Sequence, residues 1–128
     1  MKKKLIFLFG GIICVFLLWL FISGWRIRED VVIYDFSVSE NGDGIMLTVM
    51  CTSSIGHARA YKNEGGGEKP HYLKFYSAWG GFNSTIGARK KYDLKLNPND
   101  SQIYFYRGNG NYDLVLEKDR TSREWHRV

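Results

Sequence analysis

The run Val31-Val32-Ile33-Tyr34-Asp35-Phe36-Ser37-Val38, the segment Asn41-Gly42-Asp43-Gly44 and the run Ile45-Met46-Leu47-Thr48-Val49-Met50-Cys51-Thr52 together decide the fold class. β-branched and aromatic residues recur with a period of two on both sides of residues that tolerate the positive φ of a tight turn. Two strands joined by a hairpin satisfy this pattern. Alternation places Val32, Tyr34, Phe36 and Val38 on one face of the first strand, opposite Asp35 and Ser37. It stacks Ile45, Leu47, Val49 and Cys51 on one side of the second.

The same period continues downstream. A weaker strand is predicted over Ala58 to Lys62, then a loop at Gly65-Gly66-Gly67 flanked by Glu64, Glu68 and Lys69 and ended by Pro70. Further strands are predicted over His71 to Ala78, Tyr92 to Leu96, Gln102 to Arg107 and Tyr112 to Leu116. The turns Asn97-Pro98-Asn99-Asp100 and Gly108-Asn109-Gly110 separate the last of these, and Arg123 to Arg127 suits an edge strand or a partner contact. Six or seven short strands predict an all-β fold: a small antiparallel β-sandwich of immunoglobulin-like or fibronectin type, with a small barrel as the alternative. Asp100-Ser101-Gln102-Ile103-Tyr104 is similar to the tyrosine corner of such sandwiches, in which a tyrosine hydroxyl bonds back to upstream backbone.

Upstream the pattern changes completely. Leu5 to Trp25 holds 21 residues without a charge, which as a helix reach roughly 31 Å, about one hydrocarbon core. Lys2, Lys3 and Lys4 precede this run, and Trp19 and Trp25 lie near its far end, where indole rings favour the lipid–water interface. Residues 1–25 therefore read as a signal anchor with a transmembrane helix and residues 26–128 as an extracytoplasmic β domain. A cleaved signal, leaving a secreted protein, is the alternative; the long apolar run and the poor Ile22-Ser23-Gly24 site weigh against it.

Charge and cysteine content narrow the function. The net charge of +5 includes the three N-terminal lysines; the remainder carries 15 basic and 13 acidic residues, an excess of two. So balanced a domain behind a membrane segment argues against nucleic-acid binding. Cys14 lies within the apolar run and only Cys51 remains beyond it, so no disulfide forms within the β domain. Cys51 reads as a small buried hydrophobe.

The runs Pro70-His71-Tyr72-Leu73-Lys74-Phe75-Tyr76-Ser77 and Ile103-Tyr104-Phe105-Tyr106-Arg107-Gly108 to Leu116, with Asp35-Phe36-Ser37-Val38-Ser39 upstream, resemble a group of short, uncharacterised proteins of Gram-positive bacteria. These have one N-terminal apolar segment and one β-rich domain. The resemblance covers most of the β domain and implies a bacterial cell envelope setting; it carries no activity with it.

Two stretches stand out as binding candidates. Trp79-Gly80-Gly81-Phe82 places aromatics beside glycines, an arrangement that builds platforms for sugar rings or partner side chains and also plugs the ends of sandwich cores. Arg89-Lys90-Lys91 is the one basic cluster beyond the apolar segment, suited to anionic headgroups or surface polymers and equally to a solvated loop. Catalytic signals are weak: Gly-x-Ser-x-Gly is absent, and His57, His71 and His126 have no readable partners. No cofactor or metal motif occurs. The expected function is that of a membrane-anchored protein, held in the bilayer through residues 5–25, whose β domain binds an envelope protein or a surface polymer without catalysis. The alternative is a small envelope enzyme with a loop site around His57, Arg59 and His71.

Overall fold

The computed structural model describes residues 2–53, 55–66 and 70–128. Helix α1 (Lys2–Ser23) leads into strands β1 (Ile27–Arg28), β2 (Val31–Val38), β3 (Gly44–Cys51), β4 (Ala58–Asn63), β5 (His71–Ser77), β6 (Lys91–Lys95), β7 (Gln102–Gly108), β8 (Asn111–Lys118) and β9 (Trp125–Arg127). α1 buries none of its side chains, and it is long and apolar enough to cross a membrane.

The strands form two sheets. The smaller has the order β2-β3-β6 and is antiparallel throughout. In the larger, β5 pairs with β4 along one edge. Along its other edge β5 meets β7 at His71 to Leu73 and the short β1 at Phe75 and Tyr76. β8 and β9 continue outward from β7. The chain is an all-β sandwich behind an N-terminal helix, as the alternation predicts. One pair departs from a purely antiparallel build: β5 and β7 run parallel. The intervening β6 belongs to the other sheet, so the chain crosses over, runs back and crosses again, and β7 points the way β5 does. Immunoglobulin-type sandwiches consist of two antiparallel sheets, and this pair differs from that plan.

The core lies between the sheets. Phe75 and Phe105 sit at its centre with ring centroids 4.8 Å apart, and Leu47, Leu73, Ile103 and Leu116 close around them with no exposed surface. β3 and β6 obey the predicted alternation, burying Ile45, Leu47 and Val49 on one and Tyr92 and Leu94 on the other. β2 does not. A bulge between Ile33 and Asp35 shifts the register, so Val31 and Ile33 turn inward before it and Phe36 after it. Tyr34, assigned by strict alternation to one face with Phe36, is exposed, whereas Val38 keeps the face of Phe36 opposite Ile45 and is exposed at the end of the strand. The extra residue reverses the face of everything beyond it.

At the end of the sandwich away from α1, a buried polar corner ties the β4–β5 connection to the turn before β7. The His71 Nε2 and Asp100 Oδ2 atoms lie 2.7 Å apart, and His71 Nδ1 lies 2.7 Å from the Asn63 side-chain nitrogen. Asn63 Oδ1 already accepts from the Gly65 and Tyr72 amides, so its NH₂ faces His71 and donates to Nδ1. The ring therefore carries its hydrogen on Nε2 and donates it to Asp100, whose same oxygen accepts the Asn97 amide at 2.6 Å. This arrangement replaces the predicted tyrosine corner: the Tyr104 hydroxyl reaches only the Gln102 side chain, at 3.4 Å, and no upstream backbone. His71 takes this role because its ring spans from β5 to the turn before β7. Of the predicted glycine loop, Gly67, Glu68 and Lys69 lie outside the described residues; Gly66 donates to the Pro70 carbonyl.

Candidate functional site

The end of the sandwich next to α1 gathers the start of β2, the end of β3, the start of β4, the end of β5 and the start of β6. Gly56 and His57, after β3, meet the connection 78–90 there. Most of the residues singled out in the sequence are therefore brought to one end of the domain, and they do two different things.

Trp79 is not an open platform. Its ring stacks on Phe21 with centroids 6.0 Å apart, meets the edge of Trp25 at 6.2 Å and carries the Arg59 guanidinium 3.8 Å above its centroid. Two glycines make room for it. A Cβ at Gly24 would fall 1.9 Å from the indole and one at Gly87, with φ of 75°, would fall 2.9 Å away. Hydrogen bonds secure the contact: the Gly80 amide donates to Ser23 Oγ at 2.8 Å and the Arg59 guanidinium donates to the Gly24 carbonyl. The β domain is thus seated on the last turn of α1. Phe82, by contrast, points away from the fold and is 79% exposed.

Arg89 and Lys90 are placed by backbone. The Arg89 amide donates to the Ala58 carbonyl of the larger sheet, and the Lys90 carbonyl accepts from Val49 of the smaller one. The segment crosses between the sheets, and its two exposed cations stand beside a cleft of about 860 Å³. Thr48, Cys51, His57 and Asn83 also line it. Among the described residues, His57 Nδ1 is the one buried side-chain polar atom without a hydrogen-bond partner. Such an atom costs stability until something pairs with it. Lys91, predicted in the same cluster, opens β6 opposite Thr48 and is exposed.

Cys51 is half-buried and packs against the core. Burial raises its thiol pKa, and the Asp30 charge adds to the effect, so it is a poor nucleophile at neutral pH. Tyr92, buried behind the cleft, donates its hydroxyl to the Arg89 carbonyl at 2.7 Å, and burial pushes its pKa from 10.0 up to about 12. Because the folded value is raised, the stability this phenol contributes is complete below pH 10.0 and is lost as the pH climbs to about 12. Tyr92→Phe is therefore expected to move alkaline unfolding, followed by near-ultraviolet circular dichroism, to higher pH. An unchanged alkaline midpoint in the variant refutes the assignment.

The histidines of the alternative site are not brought together. The His57 carbonyl accepts from Ala78 just past the end of β5, whereas His71 begins that strand seven residues earlier, roughly 20 Å away along an extended chain. Arg59 lies with His57 and is held by Trp79, Gly24 and the Ser77 carbonyl. His71 is 3% exposed, with both ring nitrogens engaged. Among the described residues no group of three or more His, Cys, Asp or Glu is placed to hold a metal ion.

One surface escaped the sequence reading. On the outer face of the larger sheet Tyr72 stacks on Tyr104 at 5.0 Å and meets Tyr112 at 4.9 Å, while Lys74 lies over Tyr106 at 4.9 Å. These residues come from three strands, and only their register makes them neighbours. Comparison with family models, with curated proteins and with solved structures returns no match, so the geometry carries the functional reading.

Proposed function

We propose that the chain is a single-pass membrane protein of a bacterial envelope whose extracytoplasmic β domain binds an acidic segment of an envelope protein or surface polymer, without catalysis. The observation that carries the binding reading is the cleft between the sheets, where Arg89 and Lys90 stand beside His57 and its unpartnered nitrogen. Two cations and an unpaired polar atom in one concavity suit an anionic group with further hydrogen-bonding capacity. Retention of the helix is supported by the seat around Trp79, since cleavage near Gly24 would remove the Phe21 and Ser23 partners of Trp79 and Gly80. The non-catalytic reading is supported by the separation of His57 from His71 and by the raised pKa of Cys51.

The test uses the full chain. Expressed in a Gram-positive host, it is expected in the membrane fraction at full length, with the β domain removed by protease added to whole cells; a shortened chain in the medium refutes the anchor. Reconstituted protein is expected to bind polyglutamate or polyphosphate, and the double substitution Arg89→Ala, Lys90→Ala is expected to weaken binding about tenfold or more, the equivalent of roughly 1.4 kcal/mol. If the intact protein binds neither probe, or the variant binds equally well, the cleft is not the site.

A further inference from the structure

We infer that the loop from Trp79 to Gly87 is a second membrane contact, in which Phe82 and Ile86 lie in the lipid interface beside the last turn of α1. The inference rests on the reading that residues 5–25 span a bilayer, and it adds that the domain lies against that bilayer in one orientation.

Depth decides the matter. The loop is not merely near the helix; it runs alongside its apolar part. A Cβ at Gly80 would stand 3.3 Å from Leu20, and one at Gly81 would stand 3.4 Å from Ser23 and 4.0 Å from Trp19. Trp19 and Ser23 precede Trp25, where the uncharged run ends, by six and two residues. At about 1.5 Å per residue, the loop backbone lies roughly 3 to 9 Å below the end of the apolar segment. A helix that crosses the bilayer carries the loop into the interfacial layer with it.

The loop is composed for that position. Phe82 and Ile86 are 79% and 58% exposed, and neither packs into the protein. Phe82 has φ of 48°, a region that a bulky side chain seldom occupies. Ile86 forms a bridge directly opposite Trp79, so their side chains share the face that Trp79 turns toward α1. Backbone groups that enter lipid are best paired within the protein, and the two ends of the loop and its central turn are paired in this way. The Trp79 amide donates to the Ile86 carbonyl, the Ser84 amide to the Gly81 carbonyl, the Ser84 hydroxyl to the Trp79 carbonyl and the Ile86 amide to Ser84 Oγ. Trp25 and Arg26, both exposed, stand just above the loop and match the aromatic and basic residues that favour the edge of this layer.

The experiment places the full chain in phospholipid nanodiscs and measures nuclear relaxation in the presence of nitroxide-bearing lipids and, separately, of a water-soluble paramagnetic chelate. Phe82 and Ile86 are expected to be broadened several-fold more by the lipid nitroxide than Gly42, which lies in the hairpin at the opposite end of the sandwich, and to be protected from the chelate. If Val15 and Leu18 are broadened by lipid while Phe82 and Ile86 respond to the chelate as strongly as Gly42, the second contact is refuted and the membrane span stands. If Val15 and Leu18 escape the lipid nitroxide, the span itself is refuted, and the loop contact falls with it.

Discussion

Phe75→Ala is expected to cost about 4 kcal/mol, because it empties the centre of the sandwich with no neighbour free to fill the space. Phe75 is 1% exposed. Its ring packs edge-on against Phe105 at 4.8 Å and Tyr92 at 5.4 Å, and against Tyr61 at 6.0 Å. Each of these is held elsewhere: the Tyr61 hydroxyl donates to the Asp93 carbonyl, Tyr92 to that of Arg89, and Phe105 pairs with Asp113 in β8. Collapse into the cavity would break those bonds. Domains of this size have roughly 5–15 kcal/mol in all, and the loss corresponds to a melting temperature lower by about 20 °C. Urea unfolding of the full chain in detergent, followed by near-ultraviolet circular dichroism, measures it. Phe75→Leu, which keeps most of the volume, is expected to cost under about 2 kcal/mol. A loss for Phe75→Ala no greater than that for Phe75→Leu contradicts this account of the core.

Asp100→Ala is expected to be the second largest change, at about 3 kcal/mol, for a different reason. One carboxylate oxygen accepts from both His71 Nε2 and the Asn97 amide. His71 and Asp100 are 3% and 7% exposed, so water does not readily replace the lost acceptor. Two donors would be left unpaired, each at a cost of roughly 1–3 kcal/mol. Asp100→Asn retains an oxygen in the same place and is expected to lose no more than about half as much. If Ala and Asn are equally destabilising at position 100, the charge, not the acceptor geometry, holds the corner.

These two residues show how legibility varied along the chain. Phe75 was readable in kind: His71 to Ser77 alternates, and the structure buries His71, Leu73, Phe75 and Ser77 while Tyr72, Lys74 and Tyr76 face outward. In the sequence, Asp100 belongs to a turn and to a run similar to a tyrosine corner. Its true partner, His71, is 29 residues away, and no local pattern links them. Strict alternation misplaces Tyr34 relative to Phe36 because a bulge depends on the partner strand. β1, two residues long and paired to β5 across 47 residues, left no periodic trace.

The candidate site divides the same way. The basic run Arg89-Lys90-Lys91 and the aromatic pair Trp79 and Phe82 were visible as residue types. Their separate positions were not: Trp79 is enclosed by α1 and Arg59, Phe82 is left outside, and Arg89 and Lys90 border a cleft with His57. The tyrosine cluster on the outer face was not anticipated at all.

By itself the sequence determined what depends on neighbours along the chain: one uncharged helix of membrane-spanning length, a period of two that excludes a helical domain, and turns at glycine, asparagine and aspartate. Each follows from geometry repeated every two to four residues. Only the tertiary structure decided which strands meet, that β5 and β7 run parallel, that Trp79 seats the domain on α1, and that His71 finds Asp100. Those outcomes depend on contacts between residues far apart in sequence, where volume, register and the pairing of buried polar atoms are settled by the whole fold at once.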